Sequence, residues 1–215
     1  TCATGEPFLH RQIHEILEAQ LSICGYLSFQ TNFPMQIMKK KGSLARIYEW
    51  APYIKKITTD VLAADAASHA NLKKGSDFEQ TLAVLADLST RKIPLEAHFI
   101  LTKMNYASLP DLGRLLMSKG ISCNLSVVNL HPHGFNAETD LGNVYFAKDA
   151  AIKDTLSELS EVCRNSTVRV STPRPFDDPE NRCGSFWTRF QIWPTSSSSK
   201  GFRDENVVIG GCNAV

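Results

Sequence analysis

The chain has 215 residues, and its 23 Lys and Arg against 22 Asp and Glu give a formal net charge of +1. A nearly neutral chain has no overall field that would attract nucleic acid or an anionic membrane surface. Hydrophobic residues are 43% and charged residues 21% of the chain, which excludes a disordered protein, and no run of 18 apolar residues predicts a transmembrane helix. We therefore expect a globular protein. Its six cysteines lie far apart and form no CxxC pair, which predicts the reduced thiols of a cytoplasmic protein.

Strand and helix patterns alternate along the first 172 residues. Apolar residues at helical spacing follow Pro7 as far as Leu21, and Gly25 is placed to end this first helix. The elements predicted next, in order, are strand 26–30, helix 43–50, strand 54–60, a helix opened by a capping box at 76–79, strand 94–102, helix 108–119, strand 121–130, helix 149–163 and strand 167–171. Repeated strand–helix units with short connections predict a parallel sheet.

Polar residues collect where the predicted strands end. They are Thr31, Asn32, Thr59, Asp60, Thr102, Asn105, His131 and His133. In parallel β-α folds the carboxyl ends of the strands lie at one edge of the sheet, and the loops there carry the functional groups. Polar ends on four successive strands therefore predict a site at this edge.

The composition changes after about residue 172. Pro173, Pro175 and Pro179 mark a linker, and residues 187–193 and 206–209 are predicted strands on either side of a serine-rich run. We therefore expect a main domain at 1–172 and a small appendage at 173–215.

Gly5-Glu6-Pro7 has two interpretations. A glycine lets the backbone approach a ligand closely, and a glutamate carboxylate can accept hydrogen bonds from an ammonium group. The alternative is a helix start, in which the acidic side chain complements the helix dipole and the proline fixes the entry.

The order of the motifs favours the ligand interpretation. Thr-Gly-Glu-Pro7 opens a helix, Thr31-Asn32 ends the next strand, and Thr102-Lys-Met-Asn105 ends a later one. This order resembles that of the radical S-adenosylmethionine enzymes, in which a "GGEP" turn, a "TNG" turn and a "vlTxxN" strand end follow one another. The resemblance covers about residues 3–135.

The resemblance implies an α/β fold, a partial TIM-type (β/α)6 barrel, with S-adenosylmethionine and a [4Fe-4S] cluster at the carboxyl edge of its strands. It assigns Gly5 and Glu6 to the amino group of the cofactor and Pro7 to the shape of the turn. The residues that would line the cofactor and substrate side are Thr31, Asn32, Thr59, Asp60, Thr102 and Asn105, with Leu130 near the adenine.

The chain departs from the family pattern at three points. Thr4 replaces the first glycine of "GGEP", Phe33 replaces the glycine of "TNG", and the sequence contains no CxxxCxxC loop. Because the cluster needs thiolate ligands from that loop, we expect the loop upstream of Thr1, on a first β-α unit that these 215 residues lack. The barrel is then expected to be incomplete.

Cysteine and histidine residues offer further metal interpretations. The resemblance implies that Cys183 and Cys212 belong to an auxiliary-cluster extension, and two unrelated thiols are an equal alternative. His10 and His14 are four residues apart and His131 and His133 two apart. Without a third ligand, such pairs are more often polar loop residues than zinc sites.

The function expected from the resemblance is a radical S-adenosylmethionine enzyme that cleaves its cofactor reductively to a 5′-deoxyadenosyl radical. The radical would abstract hydrogen from a small-molecule or peptide substrate, with flavodoxin or ferredoxin as electron donor. The alternative is a non-catalytic barrel remnant that binds a nucleoside or a protein partner. An ordinary TIM-type hydrolase or lyase has no motif to support it.

Overall fold

A computed structural model describes residues 6–129, 150–172, 191–194 and 207–210. The chain divides into two compact units, Thr1–Arg174 and Pro175–Val215. Among the described residues, no helix has the length and apolar character needed to span a bilayer.

The first unit contains a five-stranded parallel sheet whose strand order follows the sequence. Its strands are β1 (Leu27–Gln30), β2 (Ile54–Asp60), β3 (Leu95–Leu101), β4 (Cys123–Asn129) and β5 (Val168–Ser171). A sequential order of parallel strands is that of a TIM-type barrel, whereas a doubly wound sheet reverses its order near the middle. The predicted α/β fold with a parallel sheet is confirmed, and the count of six β-α units stays a prediction.

Helices connect the strands. They are α1 (Ile13–Cys24), α2 (Met35–Lys41), α3 (Ser43–Glu49), α4 (Ala66–Leu72), α5 (Phe78–Thr90), α6 (Leu109–Ser118) and α7 (Ala150–Val162), with short 3-10 turns at Pro7–Leu9, Ala51–Tyr53 and Tyr106–Ser108. Gly25 and Gly120 follow α1 and α6 with φ of 72° and 69°, the left-handed conformation that ends a helix without a Cβ penalty.

The two faces of the sheet differ in chemistry. One face carries buried apolar side chains such as Phe29, Ile57, Phe99 and Leu125, which belong to one core cluster with the helices. The alternate residues form what we call the polar face, and they share it by strand register. They are Gln30, Thr58, Asp60, Glu96, His98, Asn124, Ser126, Arg169 and Ser171. Because side chains alternate along a strand, every strand contributes to both faces.

Several predicted elements differ from the observed ones. The first helix begins at Ile13, because Pro7–Leu9 forms a separate 3-10 turn. Helices α2 and α4 were not predicted, because neither places apolar residues at i, i+3 and i+4, as α3 of equal length does with Leu44, Ile47 and Tyr48. Lys41, the last of three consecutive lysines, ends α2, and its ammonium donates to the carbonyls of Phe8 and His10.

The predicted capping box at 76–79 is wrong in its capping residue. Asp77, not Ser76, caps α5, and its carboxylate accepts from the backbone N–H of Gln80 at 3.0 Å. Ser76 instead pairs through its hydroxyl with Nε2 of His69 at 3.1 Å.

The described part of the second unit is an antiparallel pair, β6 (Gln191–Pro194) with β7 (Val207–Gly210). Each strand overlaps one of the two segments predicted on either side of the serine-rich run and ends one residue beyond it.

Candidate functional site

Glu6 is anchored at the carboxyl end of β1. One oxygen of its carboxylate, Oε1, accepts from the Thr31 hydroxyl at 2.7 Å and from the Phe8 backbone N–H at 3.2 Å. The other, Oε2, accepts from the Asn32 backbone N–H at 2.6 Å. A carboxylate can accept about four hydrogen bonds. Three are filled here, so Oε2 retains acceptor capacity for one more donor.

The backbone at residues 31–33 turns so that this contact can form. Phe33 has φ of 52°, in the left-handed region, and its N–H donates to the Thr31 hydroxyl at 3.0 Å. A bulky residue rarely adopts this conformation, which costs about 1 kcal/mol relative to glycine. Phe33 is buried in the core, so its packing offsets that cost. The chain thus keeps a glycine-type turn at the position where the resembling family has glycine.

Lys73 joins the ends of β1 and β2. Its ammonium donates to Oδ1 of Asn32 at 2.5 Å and lies 3.3 Å from Oδ2 of Asp60, whose Oδ1 accepts from Gln30 at 3.2 Å. Burial lowers the pKa of Lys73, and the carboxylates of Asp60 and Glu6 oppose that shift. Two carboxylates and one ammonium leave one net negative charge at this edge, which favours a cationic ligand.

We call Glu6, Thr31, Asn32, Asp60 and Lys73 the acceptor cluster. The sequence predicted four of these residues, and the structure brings all four together. The sequence did not predict Lys73, which follows the short helix α4 as the first of two consecutive lysines. Pro7 is buried as the first residue of its 3-10 turn and shapes the chain that leads from Glu6.

Thr59 does not join the acceptor cluster. It pairs in register with Ala97 on the apolar face, while its neighbour Asp60 pairs with His98 on the polar face. Its side chain is fully buried, and its hydroxyl has no hydrogen-bond partner among the described residues. The strict alternation of a strand separates two residues that the sequence placed together.

Asn105 ties two connections to each other. Its Oδ1 accepts from the N–H and the hydroxyl of Thr102 at 2.8 and 2.9 Å, and its Nδ2 donates to the carbonyls of Leu62 and Ile100, both at 2.9 Å. These four bonds use the full capacity of an amide side chain. The Asn105 amide therefore has no donor or acceptor left for a ligand. The predicted role of Thr102 beside the cofactor stays a prediction.

Leu62 is held from its other side by His69. The Leu62 N–H donates to Nδ1 of His69 at 3.1 Å, so the neutral imidazole carries its proton on Nε2 and donates it to Ser76. Burial lowers the pKa of His69 to about 4. His69 is therefore a neutral structural residue near pH 7.

The polar face contains a second charged cluster, between β2 and β3. The Glu96 carboxylate accepts from Nε2 of His98 at 2.6 Å and from the Lys56 ammonium at 2.9 and 3.0 Å. The bond from His98, followed by that from Lys56, lowers the pKa of Glu96 to about 2. The alternation of polar and apolar residues in Leu95–Leu101 was a signal that sequence reasoning could have used to find Glu96 and His98.

Metal-ligating groups are sparse in the described part of the chain. It contains no group of three or more His, Cys, Asp and Glu side chains arranged to hold an ion. His10 and His14 do not share a helix face, because α1 begins at Ile13, and Nε2 of His14 pairs with the Ser43 hydroxyl at 2.9 Å. Burial raises the pKa of Cys123 to about 12 and raises that of Cys163.

Some predicted site residues lie outside the described residues. These are Gly5, Leu130, His131, His133, Cys183 and Cys212. Their assignments stay predictions.

This chain matches known proteins by structure and not by sequence. No protein-family model and no curated protein matches the sequence. SuiB from Streptococcus suis matches with a TM-score of 0.62 and 14% identity over 80% of this chain and 38% of SuiB. Structures of SuiB bound to S-adenosylmethionine and to its precursor peptide SuiA match with TM-scores of 0.60 and 0.56.

A domain of pyruvate-formate lyase-activating enzyme from Bacteroides vulgatus matches with a TM-score of 0.55 and 14% identity, over 80% of this chain and 97% of the domain. This chain spans well under half the length of SuiB. These neighbours are radical S-adenosylmethionine enzymes, so the resemblance inferred from the sequence motifs is confirmed at the level of the fold.

Proposed function

We propose that this chain, which has the fold of the radical S-adenosylmethionine enzymes, binds S-adenosylmethionine at the acceptor cluster. The observation that carries the proposal is the Glu6 carboxylate, fixed by Thr31 and Asn32 at the carboxyl edge of the sheet with acceptor capacity left on Oε2. An ammonium group placed there would donate a charge-assisted hydrogen bond to that oxygen. When bound and reduced, S-adenosylmethionine supplies hydrogen-abstracting radical chemistry.

The charges of the cluster suit this ligand. S-adenosylmethionine carries an ammonium, a sulfonium and a carboxylate, and so has one net positive charge. Glu6 offers an acceptor to the ammonium, whereas the three N–H donors of Lys73 are already used by Oδ1 of Asn32 and by the carbonyl and Oδ2 of Asp60. The net negative charge of the edge complements the net charge of the ligand.

The described residues do not fit a [4Fe-4S] cluster. Cluster iron needs thiolates. The described cysteines are Cys24, exposed at the end of α1 that leads into the amino edge of the sheet, and the buried Cys123 and Cys163 with raised thiol pKa values. We therefore assign the chain binding and orientation of S-adenosylmethionine, and derive no step through a cluster.

For the whole protein we propose a peptide substrate. Support comes from the structure of SuiB bound to its precursor peptide, which has the same fold over 79% of this chain. The polar face also suits a peptide, because its amide, hydroxyl and charged groups can hydrogen-bond a backbone.

Calorimetric titration of the chain tests the binding proposal. Glu6→Gln keeps the volume of the side chain and removes its charge, so we expect the affinity for S-adenosylmethionine to fall by about tenfold or more. Glu15→Gln, an exposed glutamate of α1, makes the same change of charge elsewhere and should leave the affinity unchanged.

5′-Methylthioadenosine, which lacks the ammonium and the carboxylate, separates the cluster from the rest of the site. Its affinity should be the same for wild type and Glu6→Gln. If wild type and Glu6→Gln bind S-adenosylmethionine equally, the proposal is wrong. If methylthioadenosine binds wild type as tightly as S-adenosylmethionine, the alternative of a nucleoside-binding module is favoured.

A further inference from the structure

The polar face has a second region, distinct from the acceptor cluster, where β3, β4 and β5 lie side by side. Glu96, Asn124 and Arg169 are register partners across these strands, and His98, Ser126 and Ser171 form the next row toward the carboxyl edge. Neighbouring strands are about 4.8 Å apart, so each row presents its side chains within reach of one small ligand. In TIM-type barrels such positions usually hold packed apolar side chains, whereas here both rows are polar.

The free groups of this region are mainly hydrogen-bond donors. Ser171 donates to Oδ1 of Asn124 at 3.0 Å, which fixes the amide and leaves the Nδ2 donors of Asn124 without a partner among the described residues. Within residues 6–129 and 150–172, neither the Ser126 hydroxyl nor the Arg169 guanidinium has a hydrogen-bond or ion-pair partner. An amide N–H₂, a hydroxyl and a guanidinium together match the acceptors of a carboxylate.

The charges of the region point the same way. Its acidic residue, Glu96, is paired with Lys56 and hydrogen-bonded to His98. One carboxylate against the ammonium of Lys56 and the guanidinium of Arg169 leaves one net positive charge, even with a neutral His98. An incoming carboxylate therefore meets attraction here, and repulsion at the acceptor cluster, where the net charge is negative.

We infer that the β3–β5 half of the polar face binds a carboxylate group of a peptide, with Arg169, Asn124 and Ser126 as its contacts. The carboxylate is either the C-terminus of the peptide or an acidic side chain. This inference rests on the proposed function for the choice of a peptide as the ligand, and it names the group that orients the peptide relative to the acceptor cluster.

Nuclear magnetic resonance titration of the full chain tests the inference, since shifts of the backbone amides of β4 and β5 report binding even at millimolar affinity. The probes are N-acetyl-trialanine with a free carboxylate, the same peptide as its amide, and N-acetyl-Ala-Glu-Ala-amide. We expect the neutral amide to leave β4 and β5 unshifted. A response to the free acid identifies a C-terminal carboxylate as the ligand, and a response to the glutamate peptide identifies an acidic side chain.

Substitutions then locate the site. Arg169→Gln should weaken binding of the responding peptide by about tenfold, because it removes a charge-assisted hydrogen bond. Arg164→Gln, an exposed arginine paired with Glu161 between α7 and β5, makes the same change in net charge and should have no effect. Ser126→Ala is a milder second variant, with an expected weakening of about threefold.

The inference is overturned if all three peptides shift β4 and β5 alike, if none does, or if Arg169→Gln and Ser126→Ala bind like wild type. These outcomes differ from a failure of the proposed function. Glu6→Gln should leave peptide binding unchanged, and loss of the carboxylate site should leave binding of S-adenosylmethionine unchanged.

Discussion

The polar residues that end β1 and β2 and those that follow β3 look alike in the sequence but differ in the structure. At the ends of β1 and β2, Asn32 and Asp60 accept from the ammonium of Lys73, and Glu6 retains acceptor capacity. Together the charged side chains leave one net negative charge. After β3, hydrogen bonds with Thr102, Leu62 and Ile100 use the full capacity of the Asn105 amide, and none of these bonds involves a charged group.

The difference shows that polarity at a strand end does not distinguish a ligand site from a structural tie. What distinguishes them is whether the hydrogen-bonding capacity of the side chain is already used within the protein. A saturated, buried amide stabilises the loops that frame a site, whereas an anchored carboxylate with spare capacity can meet a ligand. The predictions below test this division.

The largest effect is expected from Asn105→Ala. The substitution removes four hydrogen bonds and leaves the carbonyls of Leu62 and Ile100 without their donor, so we expect the free energy of unfolding to fall by about 3 kcal/mol. Urea denaturation measures this change, and Asn71→Ala, an exposed position on α4, is the control that should change it little.

The same variant decides the role of Asn105 in binding. At a temperature where Asn105→Ala is still folded, its affinity for S-adenosylmethionine should remain within about twofold of wild type. A stable Asn105→Ala variant that has lost its affinity would make Asn105 a ligand contact and would remove the contrast between the two strand ends.

Much of this architecture could be predicted from the sequence, because long amphipathic helices and apolar strands leave a periodic signal. Strand Ile54–Asp60 is a case in which the predicted and observed bounds agree. Helices α2 and α4 were missed because, unlike α3, which has the same length, neither places apolar residues at i, i+3 and i+4. The partners of polar side chains were predictable only where they depend on strand register, so Asp60 was recognised and Lys73, which reaches it from a helix end, was not.

A smaller effect, dependent on pH, is expected from His69, which holds the other side of Leu62. Its folded-state pKa of about 4 lies below the ordinary value of 6.5 for the unfolded chain. The unfolded state therefore binds a proton first as the pH falls, and the folded state loses stability between pH 6.5 and 4. We expect wild type to lose about 2 kcal/mol between pH 6.5 and 4.5 through this residue.

His69→Gln removes the titrating group, so the variant should show a flatter dependence of the unfolding free energy on pH in this window. Glu96 does not confuse the comparison. Its pKa of about 2 in the folded state means that its contribution is lost only as the pH falls below its ordinary value of 4.5. Parallel pH profiles for wild type and His69→Gln would show that His69 is not held neutral by the fold.

The smallest effect on stability is expected at Thr59. This residue is next to Asp60 in the sequence but lies on the opposite face of the sheet. Thr59→Val replaces a buried hydroxyl, which has no partner among the described residues, by a methyl group of similar size. Since burial of an unpaired hydroxyl is unfavourable, the free energy of unfolding should stay the same or rise by up to about 1 kcal/mol.

The affinity of Thr59→Val for S-adenosylmethionine should not change, whereas Asp60→Asn, which breaks the ion pair with Lys73, should weaken that affinity. If Thr59→Val weakens the affinity as much as Asp60→Asn does, then strand alternation does not separate the ligand-binding residues from the structural ones. The assignment of residues to the acceptor cluster is then wrong.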